Sequence, residues 1–416
     1  MKYKNILPIL LVFISTISAN AQTYSILIKG GTVIDPKNNL NEVMDVGILD
    51  GKIKKIAKNI EPGDARQVVD AKGMYVTPGL IDIHAHVFAG TQPDHYLSDG
   101  FIALPPDGFT FRVGVTTIVD CGGAGWTNFA TFKKNIIFNS KTRVLSFLNI
   151  VGDGMRGGAY EQDTSSMDPQ MAAAVALRNK NDIVGFKVAH FMGRDWKPVD
   201  QAVAAGKLAN IPVIVDFGGS TPALSLEELF MKHLRPGDIF THTYTLLPGD
   251  IRETIVDEST GKVKPFVLAA RKRGIVFDVG YGGASFNYSQ VLPALKGGFY
   301  PSTISTDLHT GSMNGSMKDM LSIMSKFYVM GMDLPSVIKA STWTPAQVIH
   351  RENLGNISEN AIADVAVFSM RNGNFGFYDK TGYKMEGKQK LECEMTIMGG
   401  KIVYDLNGIA KPIYSK

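Results

Sequence analysis

The sequence predicts an α/β protein, a (β/α)8 TIM barrel carrying a small β-sandwich domain built from both termini. Three observations predict it. From Gly79 to about residue 355, eight short apolar runs alternate with longer stretches of helical period. Strand-like segments flank that region at 22–78 and 356–416. The length of 416 residues exceeds one ordinary core and suits a large domain with a smaller one.

Lys2 and Lys4 precede a short apolar run, Ile6 to Ser18, and then Ala19, Asn20 and Ala21. This order of basic, apolar and small residues is that of a secretory signal peptide spanning 1–21. It implies a periplasmic or secreted protein with no membrane anchor after cleavage. From Tyr24 to Thr77 the chain reads as strands and turns, punctuated by Gly30-Gly31 and Asp50-Gly51. From about Asn356 it is strand-like again, most clearly at 363–368 and 394–404. Two like-patterned ends can pair into one domain.

The barrel strands are expected at Gly79–His86, Val115–Gly122, Arg143–Val151, Ile183–Phe191, Ile211–Gly218, Asp238–Thr245, Ile275–Gly282 and Pro301–His309. Helices are expected between them, as at Trp126–Ser140, Lys197–Asn210, Ser225–Leu234 and Lys264–Gly274. Apolar strands alternating with helices imply a parallel sheet covered by helices. Eight such units imply closure. An open doubly wound sheet is the other solution, but no Gly-rich dinucleotide fingerprint follows the first strand.

Composition excludes more than it names. Hydrophobic residues make up 44%, charged residues 20%, and the formal net charge is +4. No Lys/Arg-rich run marks a nucleic-acid or membrane surface, so electrostatics name no partner, and homo-oligomerisation is left open. Two cysteines, Cys121 and Cys393, do not make a disulfide framework and are expected as free thiols.

Reactive residues of such a barrel project from the C-terminal ends of the strands. The polar residues there are His84, His86, Asp120, Lys187, Asp216, His242, Asp278, Asp307 and His309. His84 and His86 lie two apart, so on a strand they share a face, and imidazoles suit zinc, iron or nickel. Lys187 lies within an apolar strand, where a charged amine is costly. A desolvated amine with a lowered pKa can take up carbon dioxide as a carbamate, an anionic ligand. Asp307 can bind an ion and exchange a proton with water.

The nine residues Pro78-Gly79-Leu80-Ile81-Asp82-Ile83-His84-Ala85-His86 resemble the opening strand of the amidohydrolase superfamily. GVTTIVD at 114–120 is similar to its second-strand motif. LRPGDIFTH at 234–242, DVGYGGASF at 278–286 and GFYPSTISTDLH at 298–309 resemble the deacetylase subgroup, which is similar to dihydroorotases. The resemblance spans nearly the whole chain after the signal. It implies a small-molecule substrate and a two-ion centre, usually zinc. His84, His86 and Asp307 would hold one ion. Carbamylated Lys187 would bridge both, and a strand-five His with His242 would hold the second.

Three positions depart from the subgroup. Asp216 stands where the strand-five His is usual. It either ligates through oxygen or leaves a one-ion site. Tyr281 replaces a His in the Gly-rich turn, which would set Tyr281 and Gly283 beside the substrate. Ala189 stands where an Arg is usual, and His190 either replaces that cation or packs. The expected activity is metal-dependent hydrolysis of an amide or ester of the deacetylase kind, with Asp307 as general base and then acid. A cyclic-amide hydrolase and a non-catalytic metal-binding protein are the alternatives.

Overall fold

The structure, a computed structural model, describes residues 23–89, 102–216, 219–249 and 251–414. The signal segment 1–21 lies outside the described residues. Among those described, no helix is long and apolar enough to cross a membrane.

Seven parallel strands run in chain order: Leu80–Ala85, Val115–Gly125, Arg143–Asn149, Ile183–Val188, Val213–Val215, Ile239–Phe240 and Val276–Phe277. The eighth segment, 301–309, forms no regular strand. It closes the ring through two parallel bridges, Asp278 to Thr303 and Ala85 to Leu308. Its backbone is bonded on both sides, with Val279 N donating to Thr303 O at 3.0 Å and His86 N to Leu308 O at 2.9 Å. Strands five to seven keep only two or three paired residues each, because the chain leaves the ladder early to aim side chains at the barrel mouth. His242 and Asp307 both adopt φ near +50° there, a conformation that ends a regular strand.

One end of the barrel is filled with apolar side chains. Ile81, Ile83, Val119, Cys121, Leu145, Phe147, Val184, Ile214 and Ile239 meet there, capped from outside by Ala346, Ile349 and Leu354. This plug leaves the opposite mouth as the place for polar groups. Helices cover the outside, among them Pro169–Arg178, Lys197–Ala209, Pro265–Arg273 and Tyr288–Lys296. Pro169–Arg178 starts as its sequence dictates: Asp168 accepts from Gln170 N and Met171 N, and Pro169 takes the first turn. The expected helices at 126–140 and 225–234 are each a short α-turn continued by a π-turn, Lys133–Ile137 and Leu229–His233.

The termini meet in one small domain whose ladder counts eight strands. Ile26–Asp35 pairs with Leu40–Leu49 on one side and with Val68–Asp70 and Tyr75–Pro78 on the other. Tyr75–Pro78 then carries the ladder into Val365–Tyr378 from the C-terminal part. The pairing is therefore continuous from one half of the domain to the other. It is irregular at Gly30-Gly31, where the register shifts. Gly31 is required there, since a Cβ would meet Val76 Cγ2 at 2.5 Å. Apolar residues from both halves, including Ile28, Val46, Ile48, Val365 and Ile397, share one core. Cys121 and Cys393 are free and buried, as expected.

Asp364 ties this domain to the barrel. Its backbone O accepts from Gly79 N at 2.9 Å, its Oδ1 from Gly399 N at 2.8 Å, and its Oδ2 is paired with Arg143. Asp364→Ala leaves a partly buried guanidinium unmatched and should cost about 3–5 kcal/mol. Urea unfolding monitored by circular dichroism checks it.

Candidate metal centre

The first strand bulges between Asp82 and Ala85, which turns His84 and His86 into the barrel mouth. Asp82 anchors the bulge. It accepts from His84 N at 3.2 Å and from Thr306 N and Oγ1 at 3.0 and 2.5 Å. Burial pushes this carboxyl up to about 7, against the lowering effect of the Thr306 bonds. Asp120, one of the strand-end candidates, is spent on the backbone: its oxygens accept from Val87, Phe88 and Gly123 N–H groups. It fixes the chain that leaves His86.

His84 Nε2, His86 Nε2 and Asp307 Oδ1 converge. Asp307 Oδ1 stands 3.5 Å from His84 Nε2 and 2.9 Å from His86 Nε2. All three residues are buried, and together they could hold one ion. Donors of a tetrahedral zinc stand about 3.3 Å apart, so the spacing fits. The tautomer of His84 follows from its neighbours. Asp278 accepts from Thr241 Oγ1 at 2.7 Å, which leaves that hydroxyl to accept from His84 Nδ1 at 2.9 Å. His84 Nε2 then presents a lone pair, with a carboxylate oxygen on one side and Lys187 Nζ at 3.3 Å on the other. Burial, with the Lys187 charge, pushes the imidazole down to about 3, so a proton does not fill the gap. The imidazole nitrogen and the carboxylate oxygen are thus both electron-pair donors, the kind of set that suits a cation. Thr241→Val removes the tether of His84 and should weaken zinc binding about 10- to 100-fold, as read by chelator competition.

Lys187 is fully buried, with Nζ 3.3 Å from His84 Nε2. The expected lowering of its pKa is corrected here. Burial pushes the amine down, but Cys121, Asp216 and Asp307 outweigh it and the net direction is up. Burial drives the Cys121 thiol itself far up. That thiol is therefore uncharged near neutrality, and the two carboxylates are what hold the lysine protonated.

Asp216 sits at the end of the fifth strand, between two imidazoles. Its Oδ2 is 3.2 Å from His242 Nε2 and 3.3 Å from His190 Nε2. His242 Nδ1 donates to Gly280 O at 2.5 Å, so its Nε2 also presents a lone pair to a carboxylate. His190 Nδ1 bonds the buried Glu161 Oε2 at 2.8 Å. Burial opposes protonation of His190, but Asp216 and Glu161 raise its pKa. About half its side chain is exposed. Asp216 and Asp307 are both held well below the usual carboxylate range. Burial alone would raise them, but the imidazoles of His242 and His190 beside Asp216, and of His84 and His86 beside Asp307, outweigh it. His190, His242 and Asp307 all adopt left-handed φ, 50°, 55° and 51°, backbone strain of the kind that clusters at functional sites.

Tyr281 is placed elsewhere than the sequence reading set it. Its ring is buried and stacks on Phe286 with centroids 4.3 Å apart. Its hydroxyl takes a bond from Lys326 Nζ at 2.6 Å. An aromatic ring in this turn gains more from that apolar core than from the polar mouth. Gly283 lies against the loop after the eighth segment, where an added Cβ would sit 3.1 Å from Gly311 O and 3.7 Å from His309 Cε1. Its neighbour matters more: at Gly282, φ is +56° and a Cβ would collide with Asp307 Oδ2. Gly282→Ala should displace that carboxylate and lower turnover about 100-fold, with kcat against a model acyl substrate as the check.

Four contributors escaped the sequence reading: Thr241, Glu161, Gly282 and Arg252. Arg252 Nη1 stands 3.4 Å from Asp216 Oδ1. Gly282 lies in the quoted Gly-rich turn, so its spacing could have flagged it. Glu161 and Arg252 lie outside the regular barrel strands, where periodicity carries no signal.

No family model matches the chain. A protein from Brucella anthropi named a deacetylase is 32% identical over 364 residues, covering 85% of this chain and 86% of its own. A solved adenine deaminase superposes with TM-score 0.80 at 28% identity, covering 92% of this chain and 100% of that one. A solved dihydroorotase gives 0.79 at 28%, covering 91% and 99%. The chain belongs to the amidohydrolase superfamily of metal-dependent hydrolases, in its dihydroorotase-like deacetylase group.

Proposed function

We propose that the protein is an exported zinc hydrolase that removes an acyl group from a small N-acyl or O-acyl compound. The observation that carries this reading is the meeting of His84, His86 and Asp307 in one buried cluster at the barrel mouth. In this reading His84, His86 and Asp307 would hold one ion and Asp216 with His242 the second, with a carbamate on Lys187 as a ligand available to both. The raised lysine pKa opposes this, since only the neutral amine takes up carbon dioxide with release of a proton; cations that offset Asp216 and Asp307 would lower it, so carbamate formation would follow metal loading. Bound ions would lower the pKa of an attacking water and polarise the scissile carbonyl.

The chain's own residues do the rest. Asp307, ionised and held by His86, takes the proton of the attacking water and passes it to the leaving amine or alkoxide. The strained backbone and Gly282 keep its carboxylate in place. His190, at the half-exposed edge and braced by Glu161, offers substrate the cation that Ala189 lacks. Residues 1–21 support export, and a mature chain recovered from the periplasm beginning at Gln22 would bear it out.

A second reading is hydrolysis of a cyclic amide, favoured by the close superposition on a dihydroorotase. Zinc-loaded protein assayed against N-acetyl amino acids, acyl esters and cyclic amides separates the two. Turnover of the open-chain compounds supports the deacylase. Turnover of rings alone supports the second reading, and cleavage of none with full metal content overturns both.

A further inference from the structure

Asp216 carries a charge that the usual imidazole at the end of the fifth strand would not. With a bridging carbamate, Asp216 and Asp307 set three negative charges beside two divalent ions, one more than the usual imidazole there would leave. The structure supplies a cation at that place. Arg252 is 6% exposed, and its Nη1 stands 3.4 Å from Asp216 Oδ1. Its Nη2 donates to Thr241 O at 2.8 Å and to His242 O at 3.4 Å. Its guanidinium lies 4.9 Å from the centre of the Phe240 ring. It is thus fixed to the end of the sixth strand, the strand that presents His242. A buried guanidinium is costly unless matched, and Asp216 is the carboxylate that matches it.

The two oxygens of Asp216 have different surroundings. Oδ1 faces Arg252, whereas Oδ2 faces His242 Nε2 at 3.2 Å and His190 Nε2 at 3.3 Å. We propose that Asp216 and Arg252 form a neutral pair that replaces the fifth-strand imidazole. Arg252 offsets the charge of Asp216 and holds Oδ1, so that Oδ2, which also takes the contact of His190 Nε2 at 3.3 Å, is the oxygen turned toward the second ion. This rests on the two-ion reading above. Arg252 is then a positioning residue, and its partner fixes its value: beside an imidazole it would be a repulsive charge.

The test is a cycle of full-length proteins, wild type, Arg252→Gln, Asp216→His and the double variant, with Arg252→Lys alongside. Zinc per chain is read by mass spectrometry and affinity by chelator competition. Each single variant should bind the second zinc about 10- to 100-fold more weakly, and the double variant should regain it. Arg252→Lys, which keeps the charge, should stay within a few-fold of wild type and shows whether a loss in Arg252→Gln reflects charge or folding. Wild-type affinity in Arg252→Gln overturns the proposal. So does a double variant no better than the worse single one, or an Arg252→Lys protein as weak as Arg252→Gln. A wild type holding one zinc and still hydrolysing acyl compounds overturns the proposal while leaving the hydrolase standing. A wild type that hydrolyses without any metal overturns both.

Discussion

Asp307→Asn lowers kcat by about 10²- to 10⁴-fold while the protein stays folded. The amide is nearly isosteric with the carboxylate and keeps an oxygen for His86, so the fold is not the reason. Three things are lost: the negative charge between His84 and His86, one anionic donor, and the base. The carboxylate's pKa is well below the usual range, because its contacts with the imidazoles of His84 and His86 outweigh the burial that would raise it. The wild-type group is therefore ionised throughout the neutral range and ready to accept a proton. Steady-state kinetics on Asp307→Asn with matched zinc content is the check. Full activity in that protein would remove Asp307 from the chemistry.

Lys187→Ala has an effect of similar size for another reason. The lysine is fully buried and fills space against Gly122, where an added Cβ would meet Lys187 Cγ at 2.6 Å. Its removal leaves a polar cavity and takes away the proposed bridging oxygens. Turnover should fall by about 10³-fold or more, and a short carboxylic acid added to the assay should restore part of it by entering the cavity. Native mass spectrometry of the wild type should show the added mass of one carbon dioxide when zinc is present and lose it when zinc is stripped. A wild-type protein that is active with an unmodified lysine contradicts the carbamate.

Much of the site was legible in the sequence because barrel geometry is periodic. Apolar runs ending in His84 and His86, Lys187, Asp216 or His242 point to one rim, and the structure gathers those residues there with Asp307. The eighth segment was legible as a run, yet it pairs through isolated bridges, because left-handed backbone at Asp307 interrupts the ladder. Tyr281 was misread since a position in a turn says nothing about which side its ring takes, and Phe286 with Lys326 draws it inward. The small domain was legible as two strand-rich ends, but the pairing of Tyr75–Pro78 with Val365–Tyr378 that joins them was not. Alternation shows which residues of a strand are buried and not which strand lies beside it. Arg252 and Glu161 left no trace in the sequence, since each acts through a partner brought near only by folding.

The most direct test is anomalous scattering from crystals of the zinc-loaded protein, recorded on both sides of the zinc edge. A peak bonded to His84 Nε2, His86 Nε2 and Asp307 is the predicted result, with a second bonded to Asp216 and His242. Density free of zinc at His84 and His86, in crystals of protein that still hydrolyses its substrate, would contradict the account.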